Sequence, residues 1–353
     1  MLLVAHVSRA LPIAGGLTAA MVLASCSGTP TSPNLTAATG GATPTPTTAP
    51  ASSGGGAAAL QSAYVAAVRK MLPSVVQIET SSGLGSGIVF DSKGDIVTNN
   101  HVVAGATSFT VTTSAAKKYQ GTLVGTFPAD DLAVIHVSNA ALTPASFADS
   151  SKLEVGDIVM AIGNPLGLQS SVTAGIVSAT GRTVSEDNGV VLPDTIQTSA
   201  EINPGNSGGA LVDLNANVVG IPTLAAVDQQ LGGSAPGIGF AIPSNIVTSI
   251  AAQLINQGHV THSGRAYLGV RIALAASQNG ALISTVTAGS PAAAAGLQAG
   301  DTITALNGKS VASPDDLSQA LAQLTPGDKA QVTVTGPDGS QRTVTVTLGE
   351  LPA

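Results

Sequence analysis

The run Asn203-Pro204-Gly205-Asn206-Ser207-Gly208-Gly209-Ala210-Leu211 places one hydroxyl inside a glycine-rich turn that opens onto an apolar strand, Ala210-Leu211-Val212. The flanking glycines clear steric cover from the Ser207 hydroxyl. The turn also lets successive backbone N–H groups converge on a point in front of it. Acyl transfer needs such a point for its tetrahedral oxyanion. By itself the segment reads equally well as a tight turn between strands. Two upstream segments bear on the choice. Ile96-Val97-Thr98-Asn99-Asn100-His101-Val102-Val103 sets a histidine at the end of a β-branched run, and Asp130-Asp131-Leu132-Ala133-Val134-Ile135 leads a carboxylate into a strand that reads as buried. A buried carboxylate is costly without a partner, and an imidazole N–H is such a partner.

Histidine, acid and serine in that chain order match the order of chymotrypsin-type enzymes and differ from those of subtilisin and the α/β-hydrolases. The elements around these residues are short and repetitive. Strands are expected at 75–79, 86–90, 96–99, 108–112, 121–126 and 132–137, with a second series at 158–162, 172–180, 190–198, 210–213, 218–222 and 239–242. Gly, Pro, Asp and Asn fill the gaps, the pattern of a sandwich or barrel. Two series point to two barrels, with His101 and the acid in the first, Ser207 in the second and the site in the cleft between them. A helix follows over 244–257, capped by Ser244, with Ile246, Val247, Ile250, Leu254 and Ile255 on one face and Gly258 as the stop. It is expected to close the protease domain against the second barrel.

Composition agrees with a β protein. Among 353 residues only 2% are aromatic and 9% charged, so the core must be built from small β-branched side chains. The net charge of −7 and the lack of a Lys/Arg cluster give nucleic-acid binding no support. No His/Cys/Asp/Glu cluster has metal-ligand spacing, and no cofactor motif is present. His259 and His262 read as linker residues. The N-terminus has the form of an export signal: Arg9, an apolar stretch over 10–25 too short for a membrane span, and Leu23-Ala24-Ser25-Cys26. That ending resembles the bacterial lipoprotein signal, in which the cysteine is lipidated and becomes the mature N-terminus. Cys26 is the one cysteine of the chain and lies at the position such a signal requires. The Thr/Pro/Gly-rich segment 27–60 lacks the apolar side chains that offset ordering entropy, so it is expected to be a disordered tether of roughly 30 Å reach. Helical spacing begins at about Leu60, with Tyr64, Val65 and Val68 on one face.

Residues of roughly 70–350 resemble the HtrA/Deg family of bacterial trypsin-like serine proteases with PDZ domains. The resemblance rests on Gly85-Ser86-Gly87, Thr98 to Val103, Asp131-Leu132-Ala133-Val134, Ile162-Gly163-Asn164-Pro165, Gln197-Thr198 with Asn203 to Gly209, and Gly237-Ile238-Gly239-Phe240-Ala241-Ile242-Pro243, all in one order. It implies a mainly β chain: a chymotrypsin-like pair of six-stranded barrels over 61–260, then an α+β PDZ domain over 264–350. It implies Ser207 as nucleophile, His101 as general base and acid, and Asp131, in preference to Asp130, as the residue that orients His101. The N–H groups of Gly205 and Ser207 would form the oxyanion hole. Ile202, Ile238 and Phe240 would line a small apolar primary pocket. Glu201, six residues before Ser207, opens the alternative of a basic preference. Ser199 departs from the Asp usual in the family after Gln-Thr, which bears on local loop hydrogen bonding.

In the C-terminal module, Tyr267-Leu268-Gly269-Val270 matches the carboxylate-binding loop that receives a peptide C-terminus, the peptide then adding as a strand to a sheet edge. Ser313-Pro314-Asp315-Asp316 opens a helix with a cap, Pro at the first position and acids at the positive dipole end. The implied function is a serine endopeptidase, lipid-anchored at the outer face of the cytoplasmic membrane. It would act on unfolded or misfolded exported proteins, assemble as a homotrimer of the protease domain, with the N-terminal segment around Tyr64 as a contributor by family analogy, and recognise C-terminal peptides. The alternative is a chaperone-like or regulatory binder with little turnover.

Overall fold

The computed structural model describes residues 54–81, 83–164, 171–185, 190–203, 205–228, 233–273 and 280–352. Cys26 and residues 27–53 lie outside them. The helix expected from Leu60 begins earlier: α1 spans Gly54–Met71, so the tether loses its last residues to a helix. Ala67 and Met71 are buried, and Tyr64 and Val68 pack against the same core, so this face of α1 is used within the chain.

Twelve strands then build the two barrels in the expected order. The first is a closed ring of β1 (Val75–Glu79), β2 (Leu84–Val89), β3 (Asp95–Asn99), β4 (Phe109–Thr112), β5 (Lys118–Phe127) and β6 (Leu132–Val137), ordered β1-β2-β3-β6-β5-β4. A one-turn helix, α2 (Asn100–Val103), follows β3. After the two-residue β7 (Ser146–Phe147), the second is built from β8 (Ile158–Gly163), β9 (Ser171–Ser185), β10 (Val191–Thr198), β11 (Ala210–Val212), β12 (Asn217–Asp228) and β13 (Gly233–Pro243). Its order is β11-β8-β9-β10-β13-β12, closed by β11–β12 pairing, with β7 added in parallel on β12.

Central strands here are buried on both faces, which is why they read as unbroken apolar runs. Along β6, Ala133, Ile135 and Val137 fill the first barrel, while Leu132 and Val134 face a second core between the barrels. Along β8, Val159 and Ala161 fill the second barrel, while Met160 and Ile162 join that same intervening core. Side chains alternate across a strand, so one apolar run supplies two cores.

α3 (Ser244–Gln257) ends at Gly258 in the left-handed region (φ 76°), as expected. Two features differ. Its cap position is Pro243 rather than Ser244, and the Ser244 hydroxyl instead donates to the Ala148 carbonyl at 2.7 Å. Pro243 leaves the strand in an extended conformation, so the turn into the helix occurs one residue earlier. The helix also lies against β5 and β6 of the first barrel as well as β12. Val247, Ile250, Ala251 and Leu254 bury into the inter-barrel core, so α3 packs on the first barrel as well as the second.

The C-terminal module contains β14 (Ala266–Tyr267), β15 (Val270–Ile272), β16 (Ala281–Val286), α4 (Pro291–Ala294), β17 (Thr302–Leu306), β18 (Lys309–Ser310), α5 (Pro314–Leu321), β19 (Lys329–Thr335), β20 (Gln341–Thr347) and β21 (Gly349–Glu350). Its sheet runs β15-β16-β17-β19-β20, with β18 on β17 and a separate β14–β21 pair. Ser313 accepts from the Asp316 N–H while the Asp316 side chain accepts from Ser313, a full capping box. Asn307 and Gly308, both at positive φ, make the tight turn that joins β17 to β18.

Arg265 ties this module to both barrels. Its guanidinium donates to the Asp130 carboxylate at 2.8 Å, to the Val191 carbonyl at 2.7 Å and to the Ala129 carbonyl. Burial pushes the Asp130 carboxyl above its ordinary 3.8, with Arg265 opposing. A raised folded-state value means that ionised Asp130 costs stability as pH rises through it, and that protonation at lower pH relieves the cost. Removal of the cation should enlarge that cost. Arg265→Ala is expected to lose about 3 kcal/mol of unfolding free energy at pH 7, the scale for stranding a buried charge. The deficit should shrink as pH falls toward the carboxylate range; urea titrations of both proteins at pH 7 and pH 5 provide the check.

Candidate active site

The register of β3 on β6 assembles the first half of the site. Asn99 pairs with Leu132 in this antiparallel ladder. The residues just beyond each strand end therefore meet: Asn100 donates its N–H to the Asp131 carbonyl at 2.9 Å, and the Asn99 side chain donates to the same carbonyl at 3.0 Å. Asp131 itself sits in the left-handed region (φ 49°) after a single 3-10 turn at Pro128–Asp130. That conformation, tolerated by aspartate better than by most residues, turns its carboxylate back over α2.

Between the two acids the geometry is decisive. Asp131 Oδ2 lies 2.8 Å from His101 Nδ1, and Asp131 Oδ1 accepts the His101 backbone N–H at 2.9 Å. Asp130 points the other way, to Arg265. Asp131 is 1% exposed, so its oxygens need partners from the protein. Thr223 on β12 supplies another, donating its hydroxyl to Oδ2 at 2.7 Å. With the carboxylate accepting, His101 Nδ1 is the donor in that pair, which directs Nε2 away from Asp131. The imidazole is 40% exposed, open to the cleft.

Ser207 comes from the second barrel, in the turn before β11. Its hydroxyl donates to the Thr223 carbonyl at 3.2 Å. Thr223 therefore touches both halves of the site, the acid through its hydroxyl and the serine through its carbonyl. Thr223 was not singled out by the sequence patterns, and Ser86 was noted only as part of the Gly85-Ser86-Gly87 motif, with no role given to its hydroxyl. Ser86 had a weak signal as a lone hydroxyl between two glycines in an apolar strand; Thr223, inside Ile221-Pro222-Thr223, had none.

The turn carrying Ser207 is held by the Asn206 N–H on the Asn203 carbonyl, the Gly208 N–H on the Pro222 carbonyl and the Gly209 N–H on the Asn206 carbonyl. Among the described residues, no backbone hydrogen bond uses the N–H of Gly205 or of Ser207. Gly205 is at φ 101°, accessible to glycine and strained for other residues. Pro204 lies outside the described residues.

Of the expected pocket residues, Ile202 and Phe240 are buried, while Ile238 is 37% exposed. Ile202 belongs to the core of the second barrel and packs on Gly239, where an added Cβ would stand 2.4 Å from its Cγ1. Glu201 is exposed; its carbonyl accepts from Thr173 Oγ1 at 2.7 Å. Ser199 holds its loop by accepting the Ile176 N–H on its hydroxyl at 3.0 Å while donating its own N–H to the Ile176 carbonyl at 3.1 Å.

In the C-terminal module Tyr267, Leu268, Gly269 and Val270 lie together on a cavity of about 400 Å³. Ile272, Leu317 and Leu321 give it an apolar floor, and Pro128, Ala129, Val191 and Pro193 of the barrels form its far wall. Gly269 (φ 85°) is required: a Cβ there would stand 2.2 Å from Ser290 Cβ.

A two-barrel domain with a histidine–aspartate pair facing a serine turn, followed by a small sheet with a terminal groove, defines a trypsin-like peptidase fold with a PDZ domain. Comparison agrees. Residues 85–221 match the trypsin-like peptidase domain and residues 266–348 match the PDZ domain. The solved structure of the HtrA-type protease AlgW with decapeptide superposes with a TM-score of 0.57 at 31% identity, covering 82% of this chain and 99% of that one. The chain belongs to the HtrA-type proteases. It is 42% identical over 303 residues to the serine protease PepD of Mycobacterium tuberculosis, covering 80% of this chain and 65% of that protein. It is also 42% identical over 262 residues to the periplasmic pH-dependent serine endoprotease DegQ of Escherichia coli, covering 71% of this chain and 56% of that protein. The chain thus spans 65% and 56% of the length of these two relatives.

The seam between Ser207 and the first barrel is tight enough to test. A Cβ on Gly208 (φ 77°) would stand 2.2 Å from the Ser86 carbonyl oxygen and 2.4 Å from Thr98 Oγ1. Gly208→Ala is expected to cost about 2–4 kcal/mol from left-handed strain and overpacking together, measured by urea unfolding against wild type.

Proposed function

We propose that this chain is a serine endopeptidase working through an acyl-enzyme. The observation that carries the reading is that Asp131, paired with His101 from the first barrel, and Ser207 from the second both bond to Thr223. In the reactive geometry the Ser207 hydroxyl donates to His101 Nε2 and Oγ attacks the scissile carbonyl as the proton passes to the imidazole. Asp131 holds the ring through Nδ1 and stabilises its protonated form. The oxyanion enters the space faced by the N–H groups of Gly205 and Ser207. Collapse expels the amine, which takes its proton from His101. Water then enters by the same base catalysis and releases the acyl group from Ser207.

Location and substrates follow from several supports together. The signal-like N-terminus, Cys26 and the tether favour an exported protein lipid-anchored at the outer face of the cytoplasmic membrane. The relative DegQ is named periplasmic. The substrates on this reading are unfolded or misfolded exported proteins. The loop Tyr267 to Val270 takes peptide C-termini against the apolar floor of Leu317 and Leu321. A homotrimer is proposed by family likeness, and light scattering of the soluble domain tests it.

Digestion of casein tests the nucleophile. Ser207→Ala should abolish turnover, and Asp131→Asn should lower kcat by about 10⁴-fold, as expected when the imidazole loses its orienting carboxylate. Retained cleavage by Ser207→Ala would refute the assignment. No cleavage by wild type, with both forms suppressing aggregation of a denatured client, would favour the chaperone-like alternative. For the primary pocket we expect cleavage after Val, Ala or Ile, with Ile238 and Phe240 as its apolar wall. A peptide library profiled on wild type and Glu201→Gln decides this: a dominant Lys/Arg preference that disappears in the variant would assign specificity to Glu201 instead.

A further inference from the structure

Ser86 is fully buried on β2, at 0% exposure, between Gly85 and Gly87 in an otherwise apolar strand. A hydroxyl there carries a desolvation cost that an alanine would not. Its bonds show what the hydroxyl does. Ser86 Oγ donates to the Gly205 carbonyl at 2.5 Å and accepts the Asn164 backbone N–H at 2.8 Å. Ser86 also donates its own N–H to the Ser207 carbonyl at 2.9 Å, and its carbonyl accepts Thr98 Oγ1 at 2.7 Å. One residue of the first barrel thus holds the carbonyls at positions 205 and 207 of the turn contributed by the second.

The consequence appears peptide by peptide. The Gly205–Asn206 unit is fixed at both ends, by Ser86 Oγ on its carbonyl and by the Asn203 carbonyl on its N–H. The Ser207–Gly208 unit is likewise fixed, by the Ser86 N–H and the Pro222 carbonyl. The Asn206–Ser207 unit lies between two pinned planes, with its carbonyl held by the Gly209 N–H. Among the described residues these bonds leave the N–H groups of Gly205 and Ser207 outside any backbone hydrogen bond. The Asn164 N–H occupies a lone pair of Ser86 Oγ and so aims its proton at Gly205. Without that proton, the one hydrogen bond on the Gly205 carbonyl among the described residues is lost at a glycine, the residue most able to rotate.

We infer that Ser86 is a positioning residue for the oxyanion site: its hydroxyl fixes the Gly205–Asn206 peptide so that the Gly205 and Ser207 N–H groups converge. The inference rests on the serine-protease reading above. It concerns the transition state and not ground-state binding, since Ser86 lies beneath the turn, away from the cleft. Misaiming one donor should cost less than the 10²–10³-fold loss that follows deletion of one.

The test uses Ser86→Ala and Ser86→Cys in the full chain, with a fluorogenic peptide that the wild type cleaves and a boronic acid carrying the same residues up to boron. The boronate forms a tetrahedral adduct with an oxygen in the proposed hole. Expected for Ser86→Ala is a kcat lower by about 10- to 100-fold, KM within about twofold, and boronate affinity weakened in parallel with kcat. Ser86→Cys, a poor donor of near-equal volume, should lie between alanine and wild type, and it carries the same reading if the alanine variant does not fold. Wild-type kcat and boronate affinity in the folded variants would overturn the inference. So would a loss that follows the folded fraction or appears equally in KM, which would make Ser86 a core residue only. Ser207→Ala run in parallel separates the two levels: turnover there would refute the nucleophile, whereas an inactive Ser207→Ala beside a fully active Ser86→Ala would refute only the role of Ser86.

Discussion

A carboxylate held out of water at Asp131 sets the terms for the rest of the fold. At 1% exposure it must be satisfied from within, and its partners come from two directions: the backbone and ring of His101, and the hydroxyl of Thr223. The first partner requires the β3–β6 register that pairs Asn99 with Leu132. The second requires β12 of the other barrel to lie across the first. A change in either would strand a buried charge, a loss of several kcal/mol. The chemistry of the site and the docking of the barrels are therefore one constraint.

The docking itself depends on small residues. A core poor in aromatics fills its space with Val, Ile, Ala and Leu on strands buried from both sides, so that the inter-barrel layer is continuous with α1 and α3. At the seam beside the serine turn, even a methyl group is too large. Gly208 abuts the Ser86 carbonyl, and Gly163 abuts the Asn206 side chain and the Gly205 carbonyl. Close backbone approach there allows Ser86, itself held by Asn164 and Thr98, to hold the turn by hydrogen bonds rather than by side-chain packing.

The two neighbouring acids divide the labour between domains. Asp131 faces the cleft; Asp130, one residue earlier, faces the guanidinium of Arg265 at the start of the PDZ module. The same short turn thus touches the histidine on one side and the interdomain contact on the other. Pro128 and Ala129, which precede it, also form part of the wall of the peptide groove. The groove and the acid of the active site share one rigid segment of chain.

Local pattern was enough to place much of this protein. The alternation of apolar runs and turn residues located the twelve strands of the two barrels, because strand periodicity and glycine punctuation are local properties of the chain. The glycine turn at Ser207, the histidine after β3, the capping box at Ser313 and the stop at Gly258 were legible for the same reason. What local pattern left open depends on contacts far apart in sequence. Leu132 and Ala133 favoured Asp131 over Asp130 only through family likeness; physically the choice is made by the antiparallel register and by Arg265, more than 130 residues away. The apolar face of the helix over 244–257 says only that it is buried; its packing on β5 and β6 of the first barrel is decided by the fold. Thr223 stands in no motif, and Gly85-Ser86-Gly87 marked Ser86 without giving it a role, since a single hydroxyl in a strand acquires one only when folding brings a carboxylate or a carbonyl to it. The residue types that could do chemistry were written in the sequence; which atoms they meet was decided by the tertiary structure, because hydrogen bonds act over about 3 Å and the partners are brought that close only by the packed barrels.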